Sequence, residues 1–188
     1  MNISEIKQRL TAGNARFVED KLDGKLQDSN RRNTLVSGQE PHTIVLSCAD
    51  SRVVPELAFD AGLGELFVVR VAGNVANSSS LASMEYAVAN CGSKVIVVLG
   101  HQSCGAVTAA VNGGDNGYNL NHLLGHITPA ISASKAGDSV NEIVKINAQM
   151  TAEELVNRST IIGDAAKRGD IEIVSAYYSL ETGEVTFL

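Results

Sequence analysis

Val95-Ile96-Val97-Val98-Leu99-Gly100-His101-Gln102-Ser103-Cys104-Gly105-Ala106-Val107 runs from five apolar residues through a glycine-flanked His-x-x-Cys into a helical pattern. Four of the five are β-branched, and a short apolar run without alternation reads as a strand buried on both faces. Three more runs look the same: Thr43–Ser47, Leu66–Val69 and Ile171–Ala176. Helical patterns lie between them, at Ser80–Ala89, Ala106–Val111 and Val140–Arg158. The last carries Ile143, Ile146, Met150 and Leu155 on one face. Strands alternating with helices predict an α/β fold: a parallel four-stranded sheet core flanked by helices. Glu181-Thr182-Gly183-Glu184 is a turn signal, so Val185–Leu188 adds a C-terminal antiparallel strand beside Tyr177-Tyr178.

Before the first strand the chain reads as an N-terminal helical arm over about residues 1–37. Asn2 or Ser4 can cap its first helix, and Ile6, Leu10, Ala15 and Phe17 supply apolar contacts. Gly13, Asp23-Gly24 and the polar stretch Gln27–Asn33 break the pattern into short helices and loops. No repeat, low-complexity tract or linker divides the chain, so residues 1–188 form a single domain. Its 188 residues, 44% of them hydrophobic, can bury one core. Acidic residues outnumber basic ones 21 to 15, and no Lys/Arg cluster is available for phosphates, which argues against a nucleic-acid partner. Arg31-Arg32 reads as a solvated helix face. No apolar run approaches the roughly 18–20 residues of a membrane span, and Met1–Leu10 lacks the apolar core of a signal peptide. A cytoplasmic location is expected, where three cysteines point to metal or catalysis before disulfides.

Cys48 follows the first strand, and His101 and Cys104 follow the third. Ligand sites of open parallel sheets gather beyond the carboxyl ends of the strands, so these residues converge. Two thiolates and one imidazole suit zinc and leave a fourth tetrahedral position free. No further Cys or His stands beside either motif, which favours an open catalytic site over a closed structural one. His101 and Cys104, three apart, can converge from one turn at the start of a helix, whose N-terminus favours a thiolate. Gly100 and Gly105 remove side-chain bulk on either side.

Taken together, these segments resemble the β-class carbonic anhydrases of bacterial type, over nearly the whole chain. The resemblance is carried by Gly13-Asn14-Ala15-Arg16-Phe17, Gly38-Gln39-Glu40-Pro41, Cys48-Ala49-Asp50-Ser51-Arg52-Val53 and Gly64-Glu65-Leu66-Phe67-Val68-Val69-Arg70. Ala72-Gly73-Asn74, Glu85-Tyr86-Ala87-Val88, Gly100-His101-Gln102-Ser103-Cys104-Gly105-Ala106-Val107 and Ala176-Tyr177-Tyr178 continue it. It implies reversible hydration of carbon dioxide to bicarbonate and a proton, with zinc-bound hydroxide as nucleophile and one Zn2+ per chain on Cys48, His101 and Cys104. It also implies that Asp50 accepts a hydrogen bond from that hydroxide while Arg52 holds the carboxylate in a bidentate, ionised state. In some relatives the matching Asp swings onto zinc, and the sequence leaves this open for Asp50. Gln39 matches a substrate-binding glutamine that often reaches across a subunit interface. Phe67, Ala72 and Tyr86 match the wall of the carbon dioxide pocket, and Gly73 offers a backbone N–H nearby. Ser103 departs from the larger or charged residue of many relatives. The resemblance further implies a homodimer or a dimer of dimers, with the N-terminal helix packing over the partner.

Two other functions fit parts of this pattern. Carbonyl sulfide or carbon disulfide hydrolysis would use the same scaffold and ligands. A non-catalytic zinc sensor would have no use for Asp50, Arg52 and Gln39. His122 and His126, four apart, lack the Glu of a zinc-protease helix, and they read, like His42, as surface residues. Cys91 reads as packing at a helix end. Gly62-Leu63-Gly64 precedes a strand and lacks the third glycine of a dinucleotide fingerprint.

Overall fold

The computed structural model describes residues 1–188, and its core is one five-stranded sheet. Strands β1 (Thr43–Ser47), β2 (Leu66–Arg70), β3 (Val95–His101), β4 (Glu172–Tyr178) and β5 (Val185–Phe187) lie in the order β2-β1-β3-β4-β5. The first four are parallel, and β5 runs antiparallel to β4 with Tyr178 opposite Val185. The expected sheet and its added strand are therefore both present. Around it lie α1 (Ile3–Val18), α2 (Ser29–Thr34), α3 (Pro55–Ala58), α4 (Ser78–Asn90), α5 (Gly105–Asn112), α6 (Tyr118–Gly125), α7 (Thr128–Ala133), α8 (Val140–Arg158) and α9 (Thr160–Lys167). None of these helices is long and apolar enough to cross a membrane.

Alternate residues of each central strand feed different cores, as the period of a strand requires. Ile44, Leu46, Ile96 and Val98 pack against Met84 of α4, Ala148 and Leu155 of α8, and Ile162 of α9. Val45, Val95, Val97 and Leu99 face Ile6 and Leu10 of α1, with Ala58 and Phe59. Both faces being covered explains why the strands are apolar throughout.

The arm differs from the expectation in several ways. α1 is one continuous helix of 16 residues, and Gly13 does not interrupt it. Gly13 instead permits a close approach, since a Cβ there would sit 1.9 Å from the carbonyl oxygen of Phe59. Asn2 is the cap that is used, accepting from the Glu5 N–H while the Glu5 carboxylate accepts from the Asn2 N–H. Ala15 lies exposed, because the buried stripe runs through Ile6, Leu10, Gly13 and Asn14. Asn14 ties the arm to both ends of the fold: its Nδ2 donates to the Ala58 and Gly183 carbonyls (3.0 and 2.8 Å), and its Oδ1 accepts from Val185 N–H at 2.8 Å. The apolar face of α1, through Ile6 and Leu10, packs on its own chain's sheet. After it, α2 is a short helix that begins at Ser29 under an Asp28 cap, in keeping with the short helices and loops expected here.

Helix α8 has the expected bounds but a different buried stripe. Ile143, Val144, Asn147, Ala148, Thr151 and Leu155 are buried, whereas Ile146 and Met150 are only partly covered. Two polar residues on that stripe already suggest that this face does more than pack.

Candidate metal centre

β1 and β3 are hydrogen-bonded neighbours with Ser47 opposite Leu99, so the chain leaves both strands at the same end of the sheet. Cys48 is the next residue after β1, and His101 closes β3. Ser103, with φ 53°, takes the left-handed turn that brings Cys104 back beneath His101 as the residue preceding α5. The Ser103 N–H donates to Asn141 Oδ1 of α8 at 2.9 Å, which pins this turn. All three side chains are buried, and their ligand atoms lie within 4.8 Å of one another.

The protonation pattern suits a cation. His101 Nδ1 is 2.9 Å from the Gln102 carbonyl, which can only accept, so Nδ1 carries the proton. His101 Nε2 is then a lone pair, buried and without a protein partner. A metal-binding histidine is oriented in this manner, with its second nitrogen donating to a carbonyl. The Cys104 thiol donates to Cys48 and lowers the Cys48 pKa, while the Cys104 pKa is raised by the same bond. A divalent ion held by both sulfurs would take both as thiolates. The Gly73 N–H donates to Cys48 Sγ at 3.3 Å. Two sulfurs and a free imidazole nitrogen converging at one buried point fit zinc.

Asp50 and Arg52 flank this group. Arg52 Nε donates to Asp50 Oδ1 at 2.9 Å and Nη2 to Oδ2 at 2.8 Å. That guanidinium is the main reason the Asp50 carboxyl is held well below the usual carboxylate range. Asp50 Oδ2 is 3.9 Å from His101 Nε2. Both Asp50 oxygens are engaged by Arg52, and the carboxylate stands beside the Cys48, His101 and Cys104 group.

The remaining residues divide. Gly73 lies against Cys48, and Ala72 precedes it in a short 3-10 turn, Ala72–Asn74. Phe67 and Tyr86 pack with ring centroids 6.4 Å apart. Tyr86 and Gln39 line a cavity of about 730 Å³ with Val36 and Leu63, and none of the three ligands reaches it. One chain therefore gathers Asp50, Arg52 and Gly73 at the ligands and leaves Gln39 and Tyr86 elsewhere. His122 and His126 stack edge to face at 5.4 Å with no third ligand, and Cys91 is a buried free thiol at the end of α4.

Three further residues support the site. Arg70 donates to the carbonyls of Cys48 (3.0 Å) and Asp50 (2.5 Å), bracing the loop after β1. Asn141 holds Ser103, and Asn147 Nδ2 donates to the Gly73 carbonyl at 3.0 Å.

Comparison with known proteins gives the same answer as the geometry. Residues 43–185 match the family model described as carbonic anhydrase. The chain belongs to the β-class carbonic anhydrases. The carbonic anhydrase of Mycolicibacterium smegmatis is 41% identical over 182 residues, covering 94% of this chain and 88% of the relative. Carbonic anhydrase 2 of Mycobacterium tuberculosis is 38% identical over 181 residues, covering 93% and 87%. Among solved structures, the Coccomyxa β-carbonic anhydrase in complex with acetazolamide superposes with a TM-score of 0.79 at 26% identity, covering 100% of this chain and 86% of that one. The family consists of lyases, and this carbonic anhydrase has the mostly parallel sheet with its added antiparallel strand.

Proposed function

We propose that the chain binds one Zn2+ through Cys48 Sγ, His101 Nε2 and Cys104 Sγ and catalyses reversible hydration of carbon dioxide to bicarbonate and a proton. One observation carries this reading: a fully buried imidazole nitrogen without a protein partner, grouped with two cysteine sulfurs and 3.9 Å from an ionised carboxylate. Zinc, when bound, supplies Lewis acidity that brings the pKa of a water toward about 7. Asp50 accepts a hydrogen bond from the attacking water and orients its oxygen. Arg52 keeps that carboxylate ionised and fixes its plane. The Gly73 N–H withdraws charge from Cys48, offsetting the donation of two thiolates.

The substrate side of the proposal uses Ala72 and Gly73 beside Cys48, with Phe67, Tyr86 and Gln39 reaching the carbon dioxide pocket from the partner subunit, the first two as apolar wall and Gln39 as hydrogen-bond donor to substrate. Gln39 lies away from its own chain's ligands, and β2 pairs on one edge only. Both facts support a homodimer, or a dimer of dimers, in which Gln39 serves the partner's site. The free cysteines suit a cytoplasmic location.

The deciding experiment is stopped-flow carbon dioxide hydration on protein of measured zinc content, across about pH 6.5 to 9. Hydration that requires zinc and collapses in Asp50→Asn supports the proposal. Zinc at one per chain with no hydration anywhere in the range overturns it, and carbonyl sulfide becomes the substrate to assay next.

A further inference from the structure

Helix α8 touches the site at two heights, through Asn141 at Ser103 and through the buried Asn147 at Gly73. Asn147 is 3% exposed and lies on a stripe otherwise made of Ile143, Val144, Ala148, Thr151 and Leu155. An amide costs free energy in such a place unless it is bonded. Its Nδ2 donates to the carbonyl of Gly73, and the N–H of that same residue donates to Cys48 Sγ. Gly73 sits at φ +69°, a conformation natural to glycine, whose backbone is otherwise the freest to rotate. A Cβ there would meet Ile127 Cδ1 at 2.8 Å and Ala106 Cβ at 3.3 Å.

We infer that Asn147 is a positioning residue for the Cys48 thiolate: it anchors the peptide after Gly73 so that the N–H before it stays aimed at the sulfur. Without that anchor the buried Gly73 carbonyl loses its partner, and the turn has every reason to rotate toward another one. The N–H···S bond goes with it. An N–H on a metal-bound thiolate draws charge from the sulfur, which leaves the metal the stronger Lewis acid. Asn147 thereby tunes the metal from outside the ligand set. This inference rests on the zinc ligation proposed above.

Cobalt in place of zinc reads the sulfur directly, through the thiolate-to-metal charge-transfer band in the near ultraviolet. Asn147→Leu keeps the bulk and removes the donor. The expected result is a band moved to longer wavelength, and zinc affinity in chelator competition lower by about 10- to 100-fold. Leu155→Ala, on the same helix and distant from the ligands, is expected to lower thermal stability and leave the band in place. Should Asn147→Leu fail to fold, Asn147→Ala carries the same test, with a smaller shift because water can enter and replace the donor. A wild-type band and wild-type zinc affinity in these variants overturn the inference. A wild-type protein that takes up neither cobalt nor zinc overturns the ligation itself, which is a separate failure.

Discussion

Arg52 grips Asp50 three times: Nε and Nη2 each take one carboxylate oxygen, and the Arg52 backbone N–H adds a bond to Oδ1 at 3.0 Å. A lysine cannot reproduce that fork. Asp50→Asn should therefore lower kcat/KM for carbon dioxide hydration by about 10²-fold or more, and Arg52→Lys should lower it by a smaller factor. Zinc content should stay at one per chain in both. Loss of zinc in either variant would mean that the pair holds the fold of the site and not the chemistry.

Removing the metal should cost stability. Chelation leaves His101 Nε2 buried without a partner and the two sulfurs without a cation. A ligand present at 100 times its Kd contributes about 2.7 kcal/mol to the folded state. In a chain of this size each kcal/mol moves Tm by about 2–4 °C. Calorimetry with and without chelator should show a drop of several degrees, and Cys104→Ser should already sit at the lower value. A Tm indifferent to chelator would speak against resident zinc.

Acid should loosen the arm. Burial by itself would raise the Asp60 carboxyl, but the Asp23 N–H, the Arg16 guanidinium and the Gly24 N–H together hold it below its ordinary value. A carboxyl depressed on folding contributes stability that is complete above its unfolded pKa of about 3.9. That contribution disappears as pH falls through the folded value. Asp60→Asn should lose about 1–2 kcal/mol at pH 7 and show a flatter decline below pH about 4. Urea midpoints at several pH values test this, and parallel curves for both proteins would refute it.

Gly13→Ala probes the approach of α1 to Phe59. In a free helix alanine would be the better residue by about 1 kcal/mol. Here its Cβ would collide with a backbone oxygen that has no rotamer to change. The expected outcome is destabilisation of about 1–3 kcal/mol by overpacking. A stabilised Gly13→Ala would mean that the helix can slide away from the sheet at no cost.

Gln39 offers a test that separates its own site from a partner's. Gln39→Ala and Cys48→Ser should each be inactive or nearly so. If Gln39 acts across the interface, mixed and exchanged subunits regain activity, because the Cys48→Ser chain supplies Gln39 to an intact metal site. If it acts within its own chain, no mixture recovers.

Much of the fold is legible because buried parallel strands leave a strong trace: Thr43–Ser47 and Val95–Leu99 can be little else. Helices α6 and α7 are not legible, since they are short and follow the glycines at 113, 114 and 117. α9 is masked because Ser159 ends α8 and caps α9 at once. In the candidate site, the convergence of Cys48, His101 and Cys104 and the pairing of Asp50 with Arg52 are legible because each contact needs a particular side-chain chemistry. Arg70, Asn141 and Asn147 escape for a different reason: each bonds to backbone, and a peptide group looks the same beside any residue.

The pairing of β1 with β3 has one more consequence. The separation between Cys48 and His101 is a property of the inter-strand ladder, not of the stretch of chain that connects them. Lengthening that connection at an exposed bend such as Gly92 leaves the ladder untouched. The spacing of Cys48 and His101 is in this respect modular: an insertion at that bend can bring new loops, contacts or control elements while Arg70 and Gly73, earlier on the same connection, keep their places at Cys48.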